Sequence, residues 1–203
     1  FAIPWPEALF CVFLSGCMIY LKSFFHIRRF IHAALPAVLS QATVYGIGSG
    51  CNSATLYFDS CDPVLSQSAY GLLYNHYAVD DLRGLCPLGW SVPSDDEWSA
   101  MIDSFGGIQV AGLALKDSTG WEIGQNGTNS SGFAGKPGGG RFGDSGFNNG
   151  AGFYGYFHSQ SHEDGLFYVR KLAATSDGVE RHLQFPTNGF QTGYSVRCVL
   201  DSE

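Results

Sequence analysis

The chain is poor in charge. Only 14% of its 203 residues are charged, 11 Lys and Arg against 18 Asp and Glu, and nowhere do the basic residues gather into a run. Phosphate backbones are held by clustered cations, so a formal charge of −7 without a basic stripe argues against nucleic acid as a partner. The same acidity disfavours anionic membranes. Apolar runs are short as well: Ala8 to Leu21 and Phe30 to Leu39 each fall below the roughly 20 residues that a bilayer-spanning helix needs. Heptads, solenoid repeats and charge blocks are missing, which removes coiled coils and repeat arrays.

What the chain has is glycine and aromatic rings. It carries 27 Gly, 16 Phe, 10 Tyr and 4 Trp, and 45% of its residues are apolar. That is enough to bury a core in one domain plus an appendage. The glycine content favours a loop-rich fold over a helical bundle.

Residues 1–42 differ from the rest and read as a hydrophobic export signal or anchor. Two apolar stretches flank the basic patch Lys22, His26, Arg28 and Arg29, and the segment ends in Ser40-Gln41-Ala42. A start at Met18 gives a basic region, a short apolar region and a small-residue cleavage site after Ala42. A competing reading takes Leu14-Ser15-Gly16-Cys17 as a lipobox with Cys17 lipidated. Membrane contact is expected only through this segment. Residues 43–69 read as a polar leader, with short strands at Thr43–Ile47 and Thr55–Phe58.

Removing the first segment leaves four cysteines: Cys51, Cys61, Cys86 and Cys198. Four thiols allow three pairings. The short separation of Cys51 and Cys61 suits a local loop, which leaves Cys86 to reach Cys198. An export-like N-terminus favours such bridges over reduced thiols.

Gly84 to Trp98, G-L-C-P-L-G-W-S-V-P-S-D-D-E-W, organises the main domain, residues 70–203. Ser94 followed by Glu97 is a capping box. It predicts a helix over about 95–105, with Trp98, Met101, Ile102 and Phe105 on one face and Gly106-Gly107 as its stop. Tyr70 to Val79 is aromatic and reads as a strand. So do Ala111–Lys116, Gly152–Phe157, Leu166–Ala173, Arg181–Phe185 and Tyr194–Val199. The Gly120–Gly140 tract is rich in Gly, Asn and Ser, with Trp121 and Phe133 as its expected anchors. A tract of that length is functional or tightly packed loop. The fold class expected is α+β, antiparallel, with one firm helix and long loops.

Several short matches point to chemistry that their surroundings do not support. Gly138-x-Gly140-x-x-Gly143 fits a dinucleotide fingerprint but has no strand before it and no amphipathic helix after it. Gly143-Asp144-Ser145-Gly146 resembles a protease nucleophile turn, with no similarity to that family elsewhere. His158 and His162, followed by Glu163 and Asp164, would form a zinc or calcium patch on a helix, but H-S-Q-S-H-E-D-G reads as a polar loop. No metal, cofactor or catalytic residue is assigned. Asn126-Gly127-Thr128 and Asn129-Ser130-Ser131 are glycosylation sequons without an assigned role. Trp90, Trp98 and Trp121 read as anchors.

The series Y-G-L-L-Y-N-H-Y-A-V (70–79), G-L-C-P-L-G-W-S-V-P-S-D-D-E-W (84–98), G-T-N-S-S-G-F (127–133), P-G-G-G-R (137–141) and G-Y-S-V-R-C-V (193–199) resembles the Fibrobacter succinogenes major paralogous domain family, FISUMP. That family is similar to C-type-lectin-like domains, with twisted β-hairpins, long loops and terminal strands brought together. The resemblance implies the Cys86–Cys198 bridge, secretion or surface display, and no established catalysis. The related formylglycine-generating fold needs redox-active cysteines, whereas this pair is committed to a bridge. The sequence departs from the family pattern at Y-F-H-S-Q-S (156–161), at Gly140, where Tyr is usual, and at His76, where Trp is usual.

The function expected is therefore a secreted or cell-surface binding or adhesion domain for an extracellular protein or glycan. The alternative is a structural subunit of a fibre or envelope assembly built from copies of itself. In C-type-lectin-like folds ligands are taken near the C-terminal half, which the resemblance places between Tyr156 and Gln191. The candidate ligand-binding residues are His158, Gln160, His162, Asp164, Tyr168, Arg181, His182 and Asn188, polar groups on a scaffold that holds loops in place.

Overall fold

The computed structural model describes residues 69–122, 124–142, 150–184 and 192–201, together with the backbone of 30–32, 44–46 and 148–149. In chain order the elements are β1 (Phe30–His32), β2 (Val44–Gly46), β3 (Leu72–Tyr74), α1 (His76–Val79), β4 (Trp90–Ser91), α2 (Asp95–Ser104) and α3 (Ala111–Leu115). They continue with β5 (Gly140–Arg141), β6 (Asn148–Asn149), β7 (Tyr154–Glu163), β8 (Leu166–Ala173), β9 (Val179–Gln184) and β10 (Arg197–Leu200). The fold is mixed α+β, and the paired strands of its sheets run antiparallel.

Gly84–Trp98 and the C-terminal strand form a clasp. β10 pairs with β4, Val199 opposite Ser91 and Leu200 opposite Trp90, and with β1 on its other edge. Cys86 and Cys198 are joined by a disulfide across a sequence separation of 112 residues, with their Cα atoms 5.9 Å apart. Leu85, Val92, Val196 and Cys198 pack beneath the clasp with Tyr74, Ala78 and Val79. The Cys51–Cys61 pairing, the 55–58 strand and the lipobox lie outside the described residues. Phe30–His32, within the segment expected to be an export signal, supplies backbone to the clasp sheet. Residues 44–46 form the strand expected near Thr43–Ile47 and pair with β3.

α2 starts where the capping box predicts. Ser94 Oγ accepts from Glu97 N at 3.2 Å, and the Glu97 carboxylate accepts from Ser94 N at 2.9 Å. Gly106 and Gly107 take φ of 95° and 90°, the left-handed geometry that ends a helix cheaply only at glycine. The helix buries Trp98 and Ile102 against Phe133, Phe157, Leu172 and Val179. Trp98, Phe133 and Phe157 form an aromatic trio with centroids 5.1 to 6.1 Å apart, two of the three contacts edge-on.

The Gly120–Gly140 tract is tightly packed loop. Trp121 donates its indole N–H to Gly135 O at 3.0 Å, and Ser131 Oγ donates to Ala114 O at 2.8 Å. Both sequon asparagines serve as internal acceptors, Asn126 Oδ1 from Trp121 N and Asn129 Oδ1 from Ala134 N.

Two local expectations are corrected. Tyr70–Val79 is not one strand: it turns into α1 after Tyr74, because the buried Asn75 caps the turn by accepting from Ala78 N at 3.1 Å. Ala111–Lys116 is not a strand: Ala111–Leu115 is a short helix, in keeping with the helix-forming Ala and Leu of A-G-L-A-L, and the extended Lys116 after it makes a bridge to Gly135. Lys116 is buried, and its ammonium donates to Ser176 O at 3.0 Å, tying α3 to the β8–β9 connection.

Candidate functional site

The site is built at the tip of the β7–β8 hairpin. Asp164 and Gly165 both have positive φ, 52° and 77°, and link the paired residues Glu163 and Leu166. This is a two-residue primed turn, whose twist matches that of its strands. The expected polar loop H-S-Q-S-H-E-D-G is therefore corrected: Tyr154–Glu163 is one strand, and the Asp-Gly pair was the overlooked signal.

β7 is irregular between His158 and His162. It advances four residues while its partner moves only from Val169 to Phe167, so two extra residues bulge out. The bulge docks on the start of α2. Gln160 N and Ser159 Oγ both donate to Pro93 O, and Ser161 Oγ accepts from Asp95 N at 2.9 Å. One more free N–H at the α2 N-terminus is thereby satisfied.

The bulge separates the two histidines in role. His158 is 1% exposed and lies against Phe167 and Tyr194. Its Nε2 is 2.8 Å from Tyr74 O. A carbonyl only accepts, so Nε2 carries the proton and the buried Nδ1, which has no hydrogen-bond partner among the described residues, carries the lone pair. Burial pushes the His158 pKa down to about 4, against a smaller opposing pull from the Tyr74 carbonyl. His158 is thus a neutral residue of the core, away from the surface. With no helix here, the helical His158/His162 metal patch does not form. Among the described residues no cluster of three or more His, Cys, Asp or Glu is arranged to hold a metal ion.

His162 and Asp164 instead line an open groove of about 320 Å³ between the hairpin tip and α1. Its other walls are His76, Tyr77, Asp80, Gly165, Leu166 and Phe167. His76 stacks on Phe167 with ring centroids 5.3 Å apart and planes 16° from parallel, and it touches the Tyr77 ring at 3.8 Å. His162 Nδ1 is 3.8 Å from the Asp80 carboxylate. Partial burial lowers the His76 pKa more than the nearby Asp80 carboxylate raises it, and His162 lowers it further. The groove therefore has an aromatic floor and an acidic rim.

The other expected contacts are not in the groove. Tyr168 is buried under Arg181, whose guanidinium carbon sits 4.0 Å from the ring centroid, and its hydroxyl donates to Glu163. That hydrogen bond raises the Tyr168 pKa. Arg181 Nε donates to Asp95 at 2.9 Å, and His182 pairs with Glu180 at 2.9 Å. Gln160 is an exposed side chain on the bulge. Asn188 lies outside the described residues. The expected set thus divides into a groove pair, the core residue His158, a structural ion network and surface positions, with Asn188 outside the described residues. His76, Tyr77, Asp80, Leu166 and Phe167 were not anticipated as site residues, although the departure at His76 was a signal for one of them.

The molecule is a mixed α+β domain whose two ends are bound by a disulfide clasp, with an aromatic, acidic groove at a hairpin tip. The chain belongs to the Fibrobacter succinogenes major domain family, whose model matches residues 52–200. No curated protein and no solved structure matches it. Among the described residues, no helix is long and apolar enough to cross a membrane.

Proposed function

We propose that this chain is a secreted or cell-surface binding domain of C-type-lectin-like type, and that it takes an extracellular protein or glycan ligand in the groove between α1 and the β7–β8 tip. The observation that carries the reading is the groove itself: aromatic rings and carboxylates converge on one open concavity above a well-packed core. The bridge between Cys86 and Cys198 is in keeping with an oxidising compartment. The paired β4 and β10, the ten-residue helix α2 and the three-stranded hairpin sheet are features a C-type-lectin-like domain would have.

The test is a glycan and peptide array probed with the wild-type chain and with His162→Ala. Binding to one ligand class that the substitution abolishes supports the reading. Dispersed protein that binds nothing, or binding unaffected by changes at His162, His76 and Asp80, contradicts it. Repeatable filaments in electron micrographs would favour the assembly alternative.

A further inference from the structure

We infer that the groove is built for the basic side chain of a partner polypeptide, a lysine ammonium or an arginine guanidinium. The inference rests on the groove being the ligand surface and goes on to name what enters it.

Charge supplies the first part of the argument. Asp80 and Asp164 stand on the rim, and neither Lys nor Arg is among the lining residues. Six described cations lie on other carboxylates: Arg83 on Asp81, Lys116 near Asp177, Lys136 on Asp117, Arg170 and Arg181 on Asp95, and Lys171 on Glu180. Among the described residues no Lys or Arg pairs with Asp80 or Asp164. Within that set, Asp80 pairs with the His162 imidazole at 3.8 Å. His76 is held toward its neutral form by burial, so it adds aromatic surface without opposing a cation.

Shape supplies the second part. Among the described residues, two basic groups lie on a tyrosine ring while a carboxylate binds their nitrogens. Lys171 sits 4.7 Å above Tyr154 and pairs with Glu180, and Arg181 sits over Tyr168 and pairs with Asp95. The groove lining likewise brings aromatic rings, Tyr77 and His76, together with carboxylates, Asp80 and Asp164. Leu166 and Phe167 supply apolar wall for the methylene stem of a long side chain. An aromatic face with an adjacent carboxylate attracts a cation through both the ring quadrupole and direct charge. A neutral aliphatic side chain gains only the wall.

The experiment is an amide NMR titration of the isotope-labelled full chain at pH 7.5. The probes are the capped tripeptides acetyl-Gly-Lys-Gly-amide, acetyl-Gly-Arg-Gly-amide and acetyl-Gly-norleucine-Gly-amide, and a methyl glycoside. The expected result is saturable shifts at residues 76–80 and 162–167 with the two basic peptides only. Asp80→Asn and Asp164→Asn should each weaken binding by about fivefold, the scale of one exposed ion pair. Asn tolerates the left-handed backbone at 164, so that variant keeps the turn. Asp103→Asn, an equal change of charge on the exposed side of α2, should leave affinity unchanged. Equal weakening by Asp103→Asn would reduce the effect to bulk charge and overturn the inference. Equal shifts from the norleucine peptide or the glycoside would overturn the basic occupant while leaving the groove as the ligand site. Basic-peptide shifts confined to amides away from the groove would overturn both.

Discussion

The Asp95 carboxylate joins the first turn of α2 to the middle of the sheet. One oxygen accepts from Arg170 Nη2 at 2.6 Å, and the other accepts from Arg181 Nε at 2.9 Å. The two arginines differ in exposure. The Arg170 side chain is 2% exposed and that of Arg181 is 43% exposed.

That difference sets unequal costs for losing the two pairs. Asp95→Ala leaves the Arg170 charge buried without its counterion and should destabilise the fold by about 3 to 5 kcal/mol. Arg181→Ala breaks a half-exposed pair and should cost about 1 kcal/mol or less. Urea denaturation of the two variants at pH 7 checks the ordering.

Acid should weaken the fold through His158. Its folded pKa is about 4 against an unfolded value of 6.5, so the unfolded chain binds more protons between those values. Stability from this group is fully present above about pH 6.5 and is lost as pH falls toward 4, by about 3 kcal/mol. His76 is shifted in the same direction and adds to the loss. His158→Leu should be less stable at pH 7, because it surrenders the bond to Tyr74 O, yet should show a flatter decline from pH 6.5 to 4. Denaturation curves of both proteins at half-unit pH intervals provide the comparison.

Reduction of Cys86–Cys198 should be costly. The bridge spans 112 residues, and chain entropy assigns a loop of that size about 5 kcal/mol. Thermal unfolding with and without reductant, and of the Cys86→Ala/Cys198→Ala double variant, should show a matching drop.

Gly127 is a packing constraint and not a hinge. A Cβ added there would lie 2.3 Å from Lys116 O and 2.7 Å from Leu113 O, and Gly127 N already donates to Asp117 O. Gly127→Ala should cost about 1 to 3 kcal/mol by forcing the loop off α3. Gly124→Ala meets no atom within 4 Å but sits at φ 80°, so its smaller penalty of about 1 kcal/mol is purely conformational. Comparing the two melting temperatures separates the causes.

The sequence made the local signals legible where one residue type does one job. Ser94 and Glu97 placed α2 to within a residue, and Trp121 and Phe133 were recognisable as anchors because large rings in a Gly-rich tract have little else to do. Asp164-Gly165 carried an equally clear hairpin signal, but the polar residues before it hid a strand. Those residues are polar because the bulge needs them: Ser159 and Ser161 bond the α2 terminus from more than sixty positions away. Nor could pattern show that His158 is buried and His162 exposed, since their spacing is consistent with a shared face until the bulge is known. The groove combines α1 with the hairpin tip, and only the tertiary fold brings His76 and Asp80 beside His162.

The bulge at Ser159–Ser161 ties two structures that would otherwise vary separately. Shortening β7 by those two extra residues would restore regular pairing, but it would also strip Asp95 N of its acceptor and shift the hairpin tip relative to α1. Length changes in this stretch are thus penalised twice, once at the start of α2 and once at the hairpin tip. The residue count of β7 is therefore fixed by its contact with α2 as much as by its pairing with β8.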